Sequence, residues 1–447
     1  MMKKSFKLAT ALFGSFFIFS CNSGSLDNDL SEVIKEQNLK PLEESSGTNE
    51  AEAMLGQALY FDPIVSGNKD ISCATCHHPQ LQTGDGLPLP IGTKGRGLGL
   101  DRIKAEDRNF IPRNAPEVFN RGNPEWHTMF WDGRVEQLPD GSFKTPAGDQ
   151  LPDGLKNVLA AQALFPPTSR DEMRGKAGDT RVDGQPNELA VLDNSDFTGI
   201  WNKLMDRILA IPEYRQMFKD AYGDREYTIA DFGNAIATFE AYEFTYTNTP
   251  WDRYLKGDKN ALSNEAKLGA LLFYGKANCA SCHSGNLFTD QKYHNIAVPQ
   301  FGPGKNEGGY DYGRYNVTKN PEDKYKFRTP PLRNVAVTYP YMHDGAYKSL
   351  KDAIRHHTNP EYYLRNYDPA KNGIPEELIP TLKNSEEDIQ DMLSTVDIKP
   401  VKLTEVEIEY LVAFLNALTS PDVYDDNKIK KSIPDSVPSG LPVDKLD

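Results

Sequence analysis

The sequence predicts an all-α fold built from two copies of one helical module. Apolar residues recur at helical spacing in six stretches, and no regular series of alternating strand patterns is present. LGQALY at 55–60 and LGALLF at 268–273 are similar, and each leads into a Cys-x-x-Cys-His motif. The predicted helices cover residues 156–164, 200–220, 228–242, 262–274, 349–357 and 404–418.

The start of the chain has the pattern of an export signal. A lysine-rich start precedes twelve apolar residues at 8–19, which is too short to span a bilayer but is typical of a signal peptide over residues 1–20. Cys21 follows Ser20, as in the lipidation site of bacterial lipoproteins, so the sequence predicts a periplasmic protein held to the membrane by a lipid anchor alone. The alternative is cleavage nearby that leaves Cys21 as a free thiol. Residues 21–50 are polar and predict a flexible tether.

Composition limits the classes of partner. The 447 residues carry a formal charge of −14, and an acidic surface argues against a nucleic-acid partner, which would need a basic footprint. The same charge suits the docking of a cationic protein. The stretches 83–125 and 285–330 are aperiodic and too long for ordinary connections, so we expect them to wrap around something.

Four of the five cysteines form two Cys-x-x-Cys-His motifs. Such pairs could hold zinc, form redox disulfides or attach c-type haem. The histidine after each pair favours haem, since thiols at i and i+3 on one helical turn reach the two vinyl groups and the next residue binds the iron. The sequence therefore predicts two covalently bound haem c groups. Their attachment residues are Cys73, Cys76 and His77 in the first motif and Cys279, Cys282 and His283 in the second.

The segments around the motifs resemble the bacterial dihaem cytochrome c peroxidase family, including its MauG-like branch. The resemblance covers roughly residues 50–422 in the family's order and implies two cytochrome-c-like haem domains with long wrapping loops. We expect a peroxidatic domain at 51–245, an electron-transfer domain at 246–424 and a tail at 425–447. The matching segments are GNKDISCATCHHP, IPRNAPEVFNRG, MFWDGRVEQL, ALFPPTSRDEM, FRTPPLRNVAVTYPYMHDGAYKSL and LTEVEIEYLVAFLNALT.

The resemblance implies roles for residues near the first haem. Glu172 matches the acid/base carboxylate, which can move a proton between the two oxygens of a peroxide; Asp171 is the nearest rival acid. Gln162 and Pro166 match pocket positions of the MauG-like branch. Trp131 matches the residue that carries electrons between the haems, although a core tryptophan is the common alternative.

The first haem is expected to be open on one face. Many family members close that face with a histidine after an Ile-Gly pair, and this chain has Thr93 at that position. The rival ligands are His78 and His127. The first iron therefore has His77 and an open or water-bound sixth position.

The second iron is expected to have His283 and His357. His357 stands where the family supplies the other ligand, and it continues an apolar stripe at i, i+3, i+4 and i+7 of its helix. Met342 is the runner-up ligand, and a core histidine bonded to a carbonyl is the remaining alternative. By helix phase, the adjacent His356 is expected at the surface beside Asp352.

The resemblance also implies one calcium ion between the domains, bound by Asn114 and by the backbone carbonyls of Thr338 and Pro340. The alternative is that Asn114 caps a turn. Members of this family often dimerise, which makes a homodimer a candidate assembly.

The predicted reaction is the reduction of hydrogen peroxide to water. The electrons would come from a small periplasmic donor protein, a cytochrome c or a cupredoxin. Two alternatives stay open: MauG-like oxidation of a protein side chain, and a non-catalytic dihaem electron-transfer or sensor protein.

Overall fold

The computed structural model describes residues 23–43, 47 and 49–446. Residues 1–22, which include the predicted signal peptide and Cys21, lie outside the described part. The described chain is mostly helical, as predicted. Its helices are α1 (Ser23–Glu36), α2 (Glu50–Phe61), α3 (Cys73–Cys76), α4 (Val158–Ala163), α5 (Phe197–Leu209), α6 (Pro212–Tyr222), α7 (Ile229–Glu243), α8 (Pro250–Leu255), α9 (Asn264–Tyr274), α10 (Tyr315–Thr318), α11 (Leu350–Thr358), α12 (Pro360–Arg365), α13 (Glu386–Leu393), α14 (Glu405–Asn416) and α15 (Asp426–Ser432).

Short strands form two small antiparallel sheets. The first sheet has the order β1-β2-β3, and the second pairs β4 with β5, where Tyr293 lies opposite Arg328. The strands are β1 (Thr128–Met129), β2 (Val135–Gln137), β3 (Phe143–Lys144), β4 (Tyr293–His294) and β5 (Phe327–Arg328).

Two helix pairs pack in the same way, as the sequence repeat predicts. Helix α2 packs on α7, and α9 packs on α14. A glycine allows each close approach: a Cβ at Gly56 would lie 2.0 Å from the Ala235 carbonyl oxygen, and one at Gly269 would lie 1.9 Å from that of Tyr410. Each pair lies within its own cluster of buried apolar residues.

The single helix predicted over 200–220 is two helices. Helix α5 ends at Leu209 and α6 begins at Pro212. Proline lacks a backbone N–H and its ring clashes with the preceding turn, so it starts a helix well but cannot continue one.

The flexible tether predicted at 21–50 is wrong for residues 23–36, which form α1. Leu30 of this helix is fully buried against the second apolar cluster. Asp27 accepts hydrogen bonds from Tyr254 (2.7 Å) and forms an ion pair with Lys267 (2.9 Å). The segment is therefore fastened to the second half of the chain.

The tail returns to the first half of the chain. Val437 is buried in the apolar cluster around α2 and α7, and Ser439 donates a hydrogen bond to Asp62 (2.6 Å). Asp444 accepts a hydrogen bond from Thr75, between the two cysteines of α3. As a result the outer side of the first Cys-x-x-Cys-His motif is covered by the end of the chain.

Among the described residues, no helix is both long and apolar enough to cross a membrane.

Candidate active site

The first motif holds its histidine in the form that binds a metal. Ser72 and Thr75 form a reciprocal capping box around α3, and the His77 backbone N–H donates to Cys73 (3.0 Å). The His77 Nδ1 lies 3.3 Å from the Thr83 carbonyl oxygen, an arrangement that leaves Nε2 free as a ligand. Burial lowers the pKa of His77 to about 4, so that the ring is neutral at physiological pH.

The predicted residues of the first site line one cavity. The three attachment residues of the first motif lie in its wall together with every predicted catalytic residue, although these come from separate parts of the sequence. A cavity that places two cysteines and a neutral histidine in one wall is suited to a covalently attached haem. The predicted residues in the wall are Cys73, Cys76, His77, Trp131, Gln162, Pro166 and Glu172.

Glu172 lies on one turn of π-helix over Arg170–Arg174. Such turns are uncommon and frequent at functional sites. Its carbonyl oxygen accepts a hydrogen bond from the Thr93 N–H (2.8 Å), which fixes the turn against the loop from the first motif. Glu172 lines the cavity, whereas the rival acid Asp171 does not.

Thr93 points away from the cavity. Its hydroxyl donates to the Asp70 carboxylate (2.8 Å) and accepts from the Asn68 amide (2.8 Å), and the residue is absent from the cavity wall. The rival ligands are also elsewhere: His78 is buried with Nε2 3.2 Å from the Asp444 carbonyl oxygen, and His127 is exposed. Among the described residues in the cavity wall, His77 is the only histidine.

Trp131 connects the two halves of the chain. The side chain is 9 % exposed, and its indole N–H donates to the Asn114 carbonyl oxygen (3.0 Å). The Trp131 carbonyl oxygen accepts from the backbone N–H of Arg328, which lies in the second half (2.7 Å).

His283 of the second motif lies close to His357 of α11. The ring centres of His283 and His357 are 6.4 Å apart, with 58° between the ring planes. An imidazole nitrogen binds a metal at about 2 Å and lies about 1.1 Å from the ring centre, so two histidines on one metal have ring centres about 6.2 Å apart. The Nδ1 atoms contact the carbonyl oxygens of Phe288 (3.1 Å) and Ala353 (2.8 Å), which leaves both Nε2 atoms for an iron. The gap therefore fits an iron bound by both residues.

Met342, the runner-up ligand of the second iron, packs against an apolar cluster that includes Leu87 and Tyr347. Cys279 of the second motif packs against another cluster.

The prediction that His356 lies at the surface beside Asp352 is wrong. The residue is fully buried, with Nδ1 2.8 Å from the Tyr347 hydroxyl and Nε2 2.7 Å from the Ile296 carbonyl oxygen. Asp352 pairs with Arg355 instead (2.9 Å). Helix phase separates the directions of two adjacent residues, but it does not report that other segments cover the side of the helix on which His356 lies.

Comparisons with known proteins agree with this arrangement. Residues 50–260 match the family described as di-haem cytochrome c peroxidase. The methylamine utilization protein MauG of Methylorubrum extorquens is 32% identical over 368 residues, which is 81% of this chain and 77% of that protein. The cytochrome c551 peroxidase of Pseudomonas aeruginosa is 30% identical over 309 residues, 68% of this chain and 71% of that protein.

The chain belongs to the dihaem cytochrome c peroxidase family.

The fold of this family is also found among solved structures. A MauG-like protein associated with microbial copper homeostasis aligns with a TM-score of 0.59 at 23% identity, over 88% of this chain and 95% of that one. The diheme peroxidase BthA from Burkholderia thailandensis aligns with a TM-score of 0.55 at 22% identity, over 84% and 88%. Family membership implies a peroxidase-type oxidoreductase with two haem c groups.

The cavity of this dihaem family member includes charged residues that the sequence analysis missed. Lys305 and Arg328 reach its wall from the aperiodic stretch 285–330. Glu240 of α7 is buried there with one carboxylate oxygen lacking a hydrogen-bond partner, and burial raises its pKa to about 8. No local pattern marks these residues, because Lys305 and Arg328 reach the first motif through the packing of the two halves and Glu240 reaches it through the packing of α7.

The predicted calcium ligand Asn114 is nearly buried, at 8 % exposure. Its amide nitrogen donates to the Leu87 carbonyl oxygen (2.8 Å), and its backbone N–H donates to the His343 carbonyl oxygen (2.8 Å). The second bond brings Asn114 to the segment that contains Pro340, and the amide oxygen is the atom that it could offer to a hard cation.

Proposed function

We propose that this protein reduces hydrogen peroxide to water at the haem attached to its first motif, by the reaction H₂O₂ + 2e⁻ + 2H⁺ → 2H₂O. The observation that carries this proposal is the single cavity that combines Glu172 with the first Cys-x-x-Cys-His motif and, among its described wall residues, contains no second histidine. A haem attached at this motif would supply the iron at which the O–O bond is cleaved, and the two electrons would come from the protein donor.

Glu172 moves the proton in this proposal. Its carboxylate takes a proton from one peroxide oxygen and returns it to the other, which leaves as water. The π-helical turn and the hydrogen bond from the Thr93 N–H to the Glu172 carbonyl oxygen hold the backbone of Glu172 in place. Gln162 and Pro166 shape the same wall of the cavity and limit how a small substrate lies in it.

Electrons enter at the second motif and pass through Trp131. We assign His283 and His357 as the two ligands of the second iron, supported by their 6.4 Å separation. The donor is a small cytochrome c or cupredoxin, and the formal charge of −14 favours one with a cationic docking face.

The remaining assignments belong to the same proposal. Each haem lies in one domain, at 51–245 and 246–424, with a calcium ion between them at Asn114, Thr338 and Pro340. Export to the periplasm and a lipid anchor at Cys21 are proposed from the start of the sequence.

Addition of peroxide to the oxidised protein tests the function. We expect a rapid change in the haem absorption spectrum that reverses when a reduced cytochrome c or cupredoxin is added. An oxidised species that persists and decays only with a particular protein partner would instead indicate a MauG-like role. The 32% identity to a MauG protein makes this the second candidate function. No spectral change would indicate an electron carrier and would refute the proposal.

Electron paramagnetic resonance of the oxidised protein tests the open position at the first haem. Thr93 is hydrogen-bonded to Asp70, and His77 is the only histidine among the described residues of the cavity wall. We therefore expect a high-spin ferric signal from the first haem. The second haem, with two histidines, is expected to give a low-spin signal. Two low-spin signals and no high-spin ferric haem would refute this assignment.

A further inference from the structure

His294 links two carboxylates beside the second motif. Its Nε2 lies 3.1 Å from Asp290 and its Nδ1 lies 3.2 Å from Asp397. The Cys282 sulfur, an Asp290 oxygen and a His294 nitrogen all lie within 4.8 Å of one another. We name His294, Asp290 and Asp397 the charge triad.

The geometry requires a charged histidine. A ring that bonds a carboxylate at each nitrogen must donate at both, and only the imidazolium form has two N–H groups. The hydrogen bonds that His294 donates to Asp290 and Asp397 raise the pKa of His294 well above its usual value. The charge triad thus contains one positive and two negative charges, a net charge of −1.

We propose that the charge triad sets the reduction potential of the second haem, with His294 as the residue that raises it and Asp397 as one that lowers it. This inference rests on the proposed attachment of haem at Cys282. The sulfur that joins the haem lies within 4.8 Å of His294 and Asp290, where a unit charge interacts strongly with the electron added on reduction. A positive charge there favours the reduced haem, and a negative charge disfavours it.

The surroundings of the first motif differ. Burial and then the nearby Asp85 raise the pKa of the Cys76 thiol. Asp85 itself is buried, one of its oxygens has no hydrogen-bond partner, and burial raises its pKa to about 7. The cation that acts on Asp85 is Arg102, whereas Asp290 is paired with a histidine. The two motifs give their haems different local charges, which suits two haems with different roles.

The charge triad also connects two segments of the chain, and the test must distinguish this structural role from the effect of charge. Asp397 accepts a hydrogen bond from the Asn295 N–H (3.2 Å) and so ties β4 to the segment after α13. If the contact between β4 and this segment were what mattered, replacing His294 and replacing Asp397 would shift the reduction potential in the same direction. A charge effect shifts the potential in opposite directions in the two variants.

Two variants of the holoprotein test the inference: His294→Asn and Asp397→Asn. His294→Asn changes the net charge of the triad from −1 to −2, and we expect the reduction equilibrium of the low-spin haem to shift about tenfold toward the oxidised form, or 59 mV. Asp397→Asn changes it to zero, and we expect a smaller shift toward the reduced form, because Asp397 is not among the residues whose atoms lie within 4.8 Å of the Cys282 sulfur and of one another. Spectroelectrochemical titration measures both. His127→Asn, at an exposed histidine, is the matched control and should leave the potential unchanged.

The outcomes distinguish this inference from the proposed function. Shifts in the same direction, or no shift, in variants that keep both covalent haems would overturn the inference alone. Wild-type protein without covalent haem at Cys282 would overturn both. Opposite shifts in a protein that does not turn over peroxide would support the charge triad and overturn the peroxidase proposal.

Discussion

Replacement of Glu172 by Gln is expected to lower kcat/KM for hydrogen peroxide by about 100- to 10,000-fold, the range that a positioned acid/base group contributes. The amide keeps the size and polarity of the side chain but cannot take a proton from one peroxide oxygen and return it to the other. Covalent haem content and the spectrum of the oxidised protein should be unchanged, because Glu172 takes no part in haem attachment. Stopped-flow absorption with a reduced donor measures the effect.

Asp171→Asn is the matched control for this experiment. Asp171 is adjacent in sequence and carries the same charge, but it does not line the cavity. We expect kcat/KM within about twofold of the wild-type value, since the change leaves the positioned carboxylate in place. If Asp171→Asn lost activity and Glu172→Gln retained it, the acid/base role would have to be reassigned.

The second large effect is expected for His357→Ala. Removal of this imidazole leaves the second iron with His283 alone, so the low-spin signal should be replaced by a high-spin one. Turnover with a protein donor should fall, because the proposed function places the entry of electrons at the second haem. Electron paramagnetic resonance and absorption spectra of the oxidised protein measure the change in spin state.

His356→Asn separates the two adjacent histidines. Both ring nitrogens of His356 contact protein oxygen atoms and the side chain is fully buried. We expect the variant to keep the low-spin signal while the free energy of unfolding falls by about 1–3 kcal/mol, the cost of leaving a buried polar partner unsatisfied. A loss of the low-spin signal in His356→Asn, with the signal intact in His357→Ala, would reverse the assignment.

Local chemistry made much of the candidate site predictable. The spacing within Cys-x-x-Cys-His places two thiols and an imidazole on one helical turn, so the motif specifies its chemistry whatever surrounds it. The similar segments at 55–60 and 268–273 likewise predict two copies of one helical module, and the structure adds that a glycine in each allows a close helix contact. Family resemblance added the expectations for Glu172 and Trp131.

Other features depend on contacts between distant parts of the chain. The polar composition of residues 22–50 predicted a flexible tether, yet Leu30 and Asp27 fasten α1 to the second half. Buried leucines such as Leu26 and Leu30 and the polar contacts of Asp27 hold this segment, and overall composition does not report which residues find such partners. The same applies to the tail, where Val437 and Asp444 provide the contacts.

The sequence alone determined the helical fold class, the two haem-attachment motifs and the position of the candidate acid/base carboxylate, because each depends on residues close together in the chain or on matched segments. Only the tertiary structure decided that Thr93 points away from the cavity, that His356 is buried, and that His294 joins Asp290 to Asp397. The physical reason is that the hydrogen-bond partners of these three residues, and the segments that bury them, lie elsewhere in the chain. For His294 and Asp397 the separation is 103 residues. Periodicity within one helix carries no information about those segments.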